Sequence, residues 1–115
     1  MITDWSHVNI YVYPGAVDMR KQINGLALLV EEELEADPFS GNLFLFCNRR
    51  WSHLKVLFWE KNGFWLALKR LERDRFPWPQ AAEQARQISV DELKMLLSGI
   101  DFWRAHKPLS YSRTK

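Results

Sequence analysis

The sequence contains a single cysteine, Cys47, among its 115 residues. One thiol cannot form an internal disulfide, which favours the reducing cytoplasm as the location of the protein. No apolar run approaches the ~18 residues that a membrane-spanning helix needs, so no membrane association is expected. The first ten residues lack a basic segment followed by an apolar one, and we therefore expect no secretory signal.

Motifs that bind a metal ion or a nucleotide are missing. The soft ligands His7, Cys47, His53 and His106 show none of the spacings typical of zinc sites. The five glycines are scattered over turn and cap positions and form no phosphate-binding loop. A Cys47–His53 nucleophile is disfavoured because Cys47 lies inside an apolar run, where a thiol is usually inert. We expect no cofactor and no metal site.

Carboxylates offer one further route to catalysis, since nucleases hold catalytic metal ions through acids. The acids outside clusters are interpreted as caps, hairpin ends and ion-pair partners, not as a catalytic set: Asp18, Asp37, Glu60, Glu72 and Asp74. A chain of this length also leaves little room for a nuclease core beside a DNA-docking surface. The sequence therefore predicts a protein that is not an enzyme, with a small nuclease as an alternative.

Hydrophobic residues make up 47% and aromatic residues 14% of the chain, enough for a packed core. At this length we expect one domain over residues 1–103 and a basic, flexible tail over 104–115. Charge is segregated along the chain. Residues 1–48 carry two cations against seven acids, whereas residues 49–75 carry eight cations against three acids. Basic and aromatic residues thus coincide in the middle of the chain, as is typical of nucleic-acid-binding surfaces.

Periodicity predicts an α+β fold. Alternating or continuous apolar residues predict four strands, at 8–13, 43–47, 53–60 and 64–70, with a tight Asn62-Gly63 hairpin before the last. Helical spacing predicts a long helix over 19–35 capped by Asp18, and a capping box at Ser89 predicts a short helix over 90–98. We expect a small antiparallel sheet of about four strands in β-α-β-β-β-α order. The long helix would pack across it, and the short C-terminal helix would lie at its side.

The cations of the central segment concentrate at two places, the turn after the second strand and the end of the fourth. In an antiparallel meander these places lie at the same end of the sheet. We predict that they form one patch that binds nucleic acid or a partner protein, with Trp65 as a further stacking residue. Its residues are Arg49, Arg50, Trp51, Lys55, Lys69, Arg70, Arg73 and Arg75. A solvated face that only keeps the protein soluble is the third interpretation.

A series of short motifs follows along the chain. In order, they are Asp18-Met19-Arg20-Lys21, Gly25-Leu26, Asp37-Pro38-Phe39-Ser40-Gly41, Asn48-Arg49-Arg50, Lys69-Arg70-Leu71-Glu72-Arg73 and Trp78-Pro79. Their order and spacing resemble the TnpB accessory protein of the insertion sequence 66 family of bacterial transposable elements, over roughly residues 8–100. One departure is Asp74, which stands where the family commonly has glycine.

The resemblance implies a bacterial protein encoded in a mobile element whose cut-and-join chemistry belongs to a separate, larger protein. It also implies an accessory role in transposition, with the transposase and other proteins of the same element as partners. Our hypothesis is a non-catalytic accessory that binds element DNA, the transposase, or both, through residues 49–75. The alternative is a protein–protein adaptor without direct DNA contact. A homo-oligomer is compatible with either.

Overall fold

The computed structural model describes residues 7–80 and 87–105. His106 and residues 106–115 of the predicted tail lie outside them. The described elements, in chain order, are β1 (Ile10–Ala16), α1 (Ile23–Glu32), β2 (Leu43–Cys47), β3 (His53–Glu60), β4 (Gly63–Arg70), β5 (Gln87–Ile88), α2 (Val90–Leu97) and α3 (Phe102–Ala105). Within those residues, no helix is both long enough and apolar enough to cross a membrane.

The strands form one five-stranded sheet in the order β4-β3-β2-β1-β5. The α+β class is confirmed, but the purely antiparallel sheet is wrong, because β1 and β2 pair in parallel. Parallel neighbours need a crossover connection, and α1 supplies it. The other neighbours are antiparallel, including the short strand β5, which the sequence did not indicate.

The two faces of the sheet bury separate clusters of side chains. Every residue of β2 is buried, as expected for a strand covered on both faces. Phe44 and Phe46 pack in a cluster with Leu26 and Val30 of α1. Leu45 of β2 packs in the other cluster, whose members include Leu93 and Leu96 of α2. Because alternate residues of a strand point to opposite faces, α1 and α2 cover opposite sides of the sheet.

Helix α1 is shorter than the predicted helix over 19–35. It begins at Ile23 after Gln22, whose side chain makes no capping hydrogen bond. The expected cap by Asp18 is wrong, because that carboxylate binds Arg20 in the preceding turn. At the other end Glu35 adopts a left-handed φ of 53°, which ends helical geometry, and the Ala36 amide donates to the Val30 carbonyl.

The β3–β4 hairpin is confirmed, with pairs running from His53 and Arg70 to Glu60 and Gly63. The positive φ of its turn lies at Lys61 (54°), not at the Asn62-Gly63 pair. The capping box of α2 is also confirmed. The Ser89 hydroxyl accepts from the Glu92 amide (3.1 Å), and the Ser89 amide donates to Glu92 Oε1 (2.8 Å).

Residues 76–79 have no regular structure, as their two prolines predict, but they are largely buried. The Phe76 amide donates to the Trp51 carbonyl (2.7 Å), and the Pro79 carbonyl accepts from Gly15 (2.8 Å). Gly15 has a φ of 82°, a conformation that side chains disfavour. The Trp78 indole donates to the Tyr13 carbonyl (2.8 Å). This segment therefore fastens the loop after β4 to the sheet.

Candidate nucleic-acid interface at the basic edge of the sheet

Three loops meet at one edge of the sheet, where β1, β2 and β4 end. The Val17 amide donates to the Cys47 carbonyl (2.8 Å), which joins the first loop to the end of β2. The Leu71 amide donates to the Ser52 carbonyl (2.8 Å), and residues 51 and 76 are bonded in the same way. The predicted convergence of the turn at 48–52 with the end of β4 is therefore present in the backbone.

We call this the basic edge and define it by residues 17–22, 48–52 and 69–75. It carries eight cations against three carboxylates. The cations are Arg20, Lys21, Arg49, Arg50, Lys69, Arg70, Arg73 and Arg75, and all eight are exposed. The carboxylates are Asp18, Glu72 and Asp74. The net positive charge of the middle of the chain is thus concentrated along one edge.

The opposite edge of the sheet is acidic. Because β1 and β2 are parallel, α1 returns to the edge where the two strands begin and ends there among acids. Helix α2 follows β5, which runs antiparallel to β1, so α2 also begins at this edge. We call this the acidic edge and define it by its acids, which are Glu31, Glu32, Glu33, Glu35, Asp37, Glu60, Asp91 and Glu92. Acidic and basic residues that are separated along the sequence therefore lie at opposite ends of the strands in the folded protein.

Asn48 organises the turn that presents Arg49 and Arg50. Its side-chain oxygen accepts from the Ser52 amide (2.9 Å) and the His53 amide (3.1 Å). Its backbone carbonyl accepts from Trp51, which adopts a φ of 59°. These bonds hold the turn in one shape and leave both arginine side chains exposed.

The arginines differ in whether they have an acidic partner. Arg70 Nε lies 2.9 Å from Glu72 Oε2, and both side chains are largely exposed. Exposed pairs of this kind contribute only ~0–1 kcal/mol. In the described part of the chain, no carboxylate pairs with Arg49, Arg50, Arg73 or Arg75. Four guanidinium groups of the edge are therefore not neutralised by a described neighbour.

Asp18 and Arg20 form a two-pronged ion pair at the same edge. Arg20 Nε and a terminal nitrogen donate to Asp18 Oδ2 at 2.9 and 2.6 Å. A cleft of about 300 Å³ lined by Ala16, Val17, Asp18 and Arg49 places Arg49 beside this pair. Hydrogen bonding to Arg20 lowers the pKa of Asp18 to about 2 and raises the pKa of Arg20. Asp18 is therefore ionised at neutral pH.

Replacing Arg20 by leucine is expected to raise the pKa of Asp18 from about 2 part of the way toward 3.8, because the side-chain donors are lost while the backbone amide of residue 20 still donates. In the native protein the pair contributes fully above pH 3.8, and its contribution is lost as the pH falls through about 2. A carboxyl-carbon NMR titration measures both values. Arg49→Leu is the control and should leave this pKa nearly unchanged. A native value near 3.8 would show that the pair does not form in solution.

Lys55, predicted to contact a ligand, is buried with 7% of its surface exposed. Its ammonium group donates to the carbonyls of Met19 and Lys21, each at 2.9 Å. The expectation of an exposed binding role for Lys55 is therefore wrong. Lys55 instead fastens the loop before α1 to the sheet, because its two acceptors belong to that loop.

The aromatic part of the predicted patch is also corrected. Trp51 is half-buried against the cluster on the α2 side of the sheet, so it is not a free stacking surface. Trp65 is 49% exposed but lies near the hairpin, where its indole donates to Glu60 Oε1 (2.9 Å). Lys69 is exposed and donates to the Leu97 carbonyl at the end of α2 (3.0 Å). The edge therefore offers cations more than aromatic faces.

The thiol of Cys47 and the side chains that could bind a metal ion bear on possible chemistry in the described residues. Cys47 is fully buried, and burial raises the pKa of its thiol to about 12, so it is protonated at neutral pH. In residues 7–80 and 87–105, no three side chains of the His, Cys, Asp and Glu types gather to hold a metal ion.

Comparison with known proteins identifies the family. A family model described as "IS66 Orf2 like protein" matches residues 8–107. The chain belongs to the IS66 Orf2-like family. "Uncharacterized protein y4hO" of Sinorhizobium fredii is 43% identical over all of this chain and 98% of its own length. "Uncharacterized protein y4jC" of the same organism is 34% identical over 87% of this chain and 86% of its own length. No solved structure matches the chain.

The motifs of this IS66 Orf2-like protein come together in space. Residues 18–21, 48–50 and 69–73 are distant in sequence, yet each is part of the basic edge. Leu26 is instead a core residue, and a Cβ added at Gly25 would lie 3.4 Å from the Lys21 side chain. That distance is an ordinary van der Waals contact, so neither space nor backbone conformation requires glycine at position 25.

Sequence reasoning missed Arg20 and Lys21 as members of the charged surface. The sequence identifies them only as residues of a family motif. In the antiparallel sheet that we expected, nothing places the loop before α1 next to the turn at 48–52. The signal was present in the long connection between β1 and β2, which is typical of parallel pairing. A parallel pair brings the ends of β1 and β2 to the same edge.

Proposed function

We propose that this protein is a non-catalytic accessory of DNA transposition that binds the phosphate backbone of element DNA through the basic edge. The observation that carries this proposal is the convergence of three segments with eight exposed cations, six of which, four of them arginines, have no acidic partner among the described residues. Guanidinium groups donate two hydrogen bonds to a phosphate at once. Membership of the IS66 Orf2-like family supports the setting, an insertion element.

The chemistry of the edge favours contact with phosphates over the reading of bases. Six of its eight cations stand on loops and the other two, Lys69 and Arg70, end β4, whereas base edges are commonly reached by a helix or a β-ribbon inserted into the major groove. Two of the three acids of the edge, Asp18 and Glu72, are engaged with Arg20 and Arg70. This arrangement supports binding without cleavage and with little sequence preference.

A salt titration of binding to duplex DNA tests the proposal. With about four phosphates contacted, we expect the affinity to fall by about a hundredfold between about 50 and about 200 mM salt. Fluorescence anisotropy on an element-end duplex and an unrelated duplex measures the slope. Arg49→Glu with Arg73→Glu should weaken binding and reduce the slope, because two contacts become repulsive. Asp74→Gly should strengthen binding, because it removes a negative charge from the edge. Glycine also adopts the left-handed backbone conformation of residue 74 (φ 64°) without strain.

The matched control is Lys61→Glu with Lys94→Glu. It makes the same change in net charge at two exposed lysines that are not among the residues defining the basic edge, one in the turn of the β3–β4 hairpin and one in α2. Equal losses in the two double variants would show that net charge, and not the edge, governs binding. A salt dependence close to zero in the native protein would reject phosphate contact.

The second candidate function is an adaptor that binds the transposase without touching DNA. The acidic edge favours it, since this surface fits a basic partner. Its signature is capture of purified transposase that survives charge reversal at Arg49, Arg50 and Arg70, together with no affinity for DNA.

A further inference from the structure

Strand β4 leaves one of its backbone edges unpaired by any strand in the described part of the chain. It lies at the end of the strand order and has eight residues, whereas β5 at the other end has two. The Leu71 amide donates to the Ser52 carbonyl, which shows that the odd-numbered residues of β4 direct their backbone amides and carbonyls toward β3. Lys69, Ala67 and Trp65 therefore bond toward β3. Phe64, Leu66, Leu68 and Arg70 direct their amides and carbonyls outward.

Some of the apolar side chains of β4 are also exposed on each face of the sheet, although Phe64 and Leu66 are partly buried against the cluster on the α1 side. Leu68, on the face covered elsewhere by α1, is 60% exposed. Trp65, on the face covered elsewhere by α2, is 49% exposed, and Ala67 beside it is exposed too. Charged side chains protect an edge strand, but the two cations of β4, Lys69 and Arg70, both lie at its end, so residues 64–68 present an apolar edge that can pair with another chain.

We propose that β4 pairs antiparallel with β4 of a second copy of this chain, about a twofold axis perpendicular to the sheet. Such an axis reverses the strand direction and keeps each face of the sheet on the same side. Only residues on the same face then become neighbours, which allows Ala67 to meet its own copy on the axis. The result is one continuous sheet through both copies, and the inference is independent of what the basic edge binds.

The strand is complementary to itself in this register. Leu66 lies opposite Leu68 of the second copy, so that the most exposed leucine of the strand gains an apolar neighbour. Trp65 lies opposite Lys69 of the second copy, whose ammonium group is held by the Leu97 carbonyl (3.0 Å), so the side-chain carbons of Lys69 can pack against the indole ring. Glu60, whose carboxylate accepts from the Trp65 indole (2.9 Å), adds an opposite charge at that place.

Charge also favours a second copy as the occupant. The basic edge lies at the end of β4, and the acidic edge lies at its beginning. Antiparallel pairing therefore sets the basic edge of each copy beside the acidic edge of the other. A parallel arrangement would place like charges together, which costs free energy and selects against that partner.

Sedimentation equilibrium tests for the dimer. Between about 1 and about 100 µM chain we expect the mass to rise toward twice 13.7 kDa. Leu68→Lys should weaken association by about tenfold or more, because a lysine would be desolvated beside Leu66 of the second copy. Leu28→Lys is the control, since Leu28 is 50% exposed on α1. Circular dichroism checks that both variants are folded. A native monomer throughout this range, or equal effects of the two changes, would overturn the proposal.

Cross-linking tests the register independently. Ala67 and its copy form a pair without mutual hydrogen bonds, in which the Cα atoms lie ~4.5 Å apart. That separation suits a disulfide. Ala67→Cys should give a covalent dimer on mild oxidation, whereas Leu28→Cys should not, and buried Cys47 does not compete. Equal yields of covalent dimer from the two variants would overturn the pairing. The pairing would also be overturned if the protein stayed monomeric and β4 bound the transposase instead.

Discussion

Replacing Trp78 by alanine is expected to lower the free energy of unfolding by about 3–5 kcal/mol, the usual cost of removing a buried aromatic side chain. Trp78 is 7% exposed and belongs to the cluster between the sheet and α2. Its indole also donates to the Tyr13 carbonyl (2.8 Å), which would lose this partner. Urea unfolding followed by circular dichroism measures the change.

Trp78→Phe separates the two contributions. Phenylalanine keeps an aromatic ring in the cluster but cannot donate to the Tyr13 carbonyl, so we expect a loss of about 1–2 kcal/mol. Trp65→Ala is the matched control, because Trp65 is 49% exposed and should cost much less. Comparable losses at Trp65 and Trp78 would contradict a structural role for the 76–79 segment.

The elements that the sequence predicted well are those whose signal is local. The β3–β4 hairpin follows from alternating apolar residues, and the start of α2 follows from Ser89 and Glu92, which satisfy each other within one turn. The start of α1 was predicted wrongly because Asp18 had two local partners available. It binds the Arg20 side chain and amide, and α1 begins without a side-chain cap.

The predictions that failed depend on contacts between distant residues. Parallel pairing of β1 with β2 is decided by the packing of α1 across the sheet, which no local pattern records. Lys55 alternates with apolar residues in β3 and was therefore interpreted as exposed. Its acceptors, the carbonyls of Met19 and Lys21, lie more than thirty positions earlier. A buried lysine with two backbone acceptors cannot be distinguished from a surface lysine by spacing alone.

The candidate site was predictable in part for the same reason. The meeting of Arg49 and Arg50 with Arg70 follows from hairpin order, which is local. The presence of Arg20 and Lys21 at the same edge follows from the parallel pairing of β1 with β2, which depends on contacts between residues distant in sequence. The acidic edge likewise depends on the direction in which α1 crosses the sheet. The distribution of charged residues along the sequence therefore predicts that charge is segregated, whereas the topology of the sheet determines where the cations and the acids lie.

Replacing Lys55 by methionine is expected to lower the free energy of unfolding by about 2 kcal/mol. Two hydrogen bonds from a charged donor are lost, at ~1.5–3 kcal/mol each, and relief of the desolvated charge offsets part of that loss. Methionine keeps a chain of similar length, so cavity formation adds little. Because the loop before α1 loses its anchor to the sheet, amide exchange should increase at residues 18–22.

The same variant separates a structural lysine from one that binds DNA. If Lys55 acts through the fold, Lys55→Met lowers stability and leaves the salt dependence of DNA binding unchanged at temperatures where the protein is folded. Lys69→Met is the matched control, since Lys69 is exposed at the basic edge. It should change stability by less than about 1 kcal/mol and reduce the slope by about one counterion. A reduced slope with unchanged stability in Lys55→Met would instead place its ammonium group on the DNA and contradict the buried geometry.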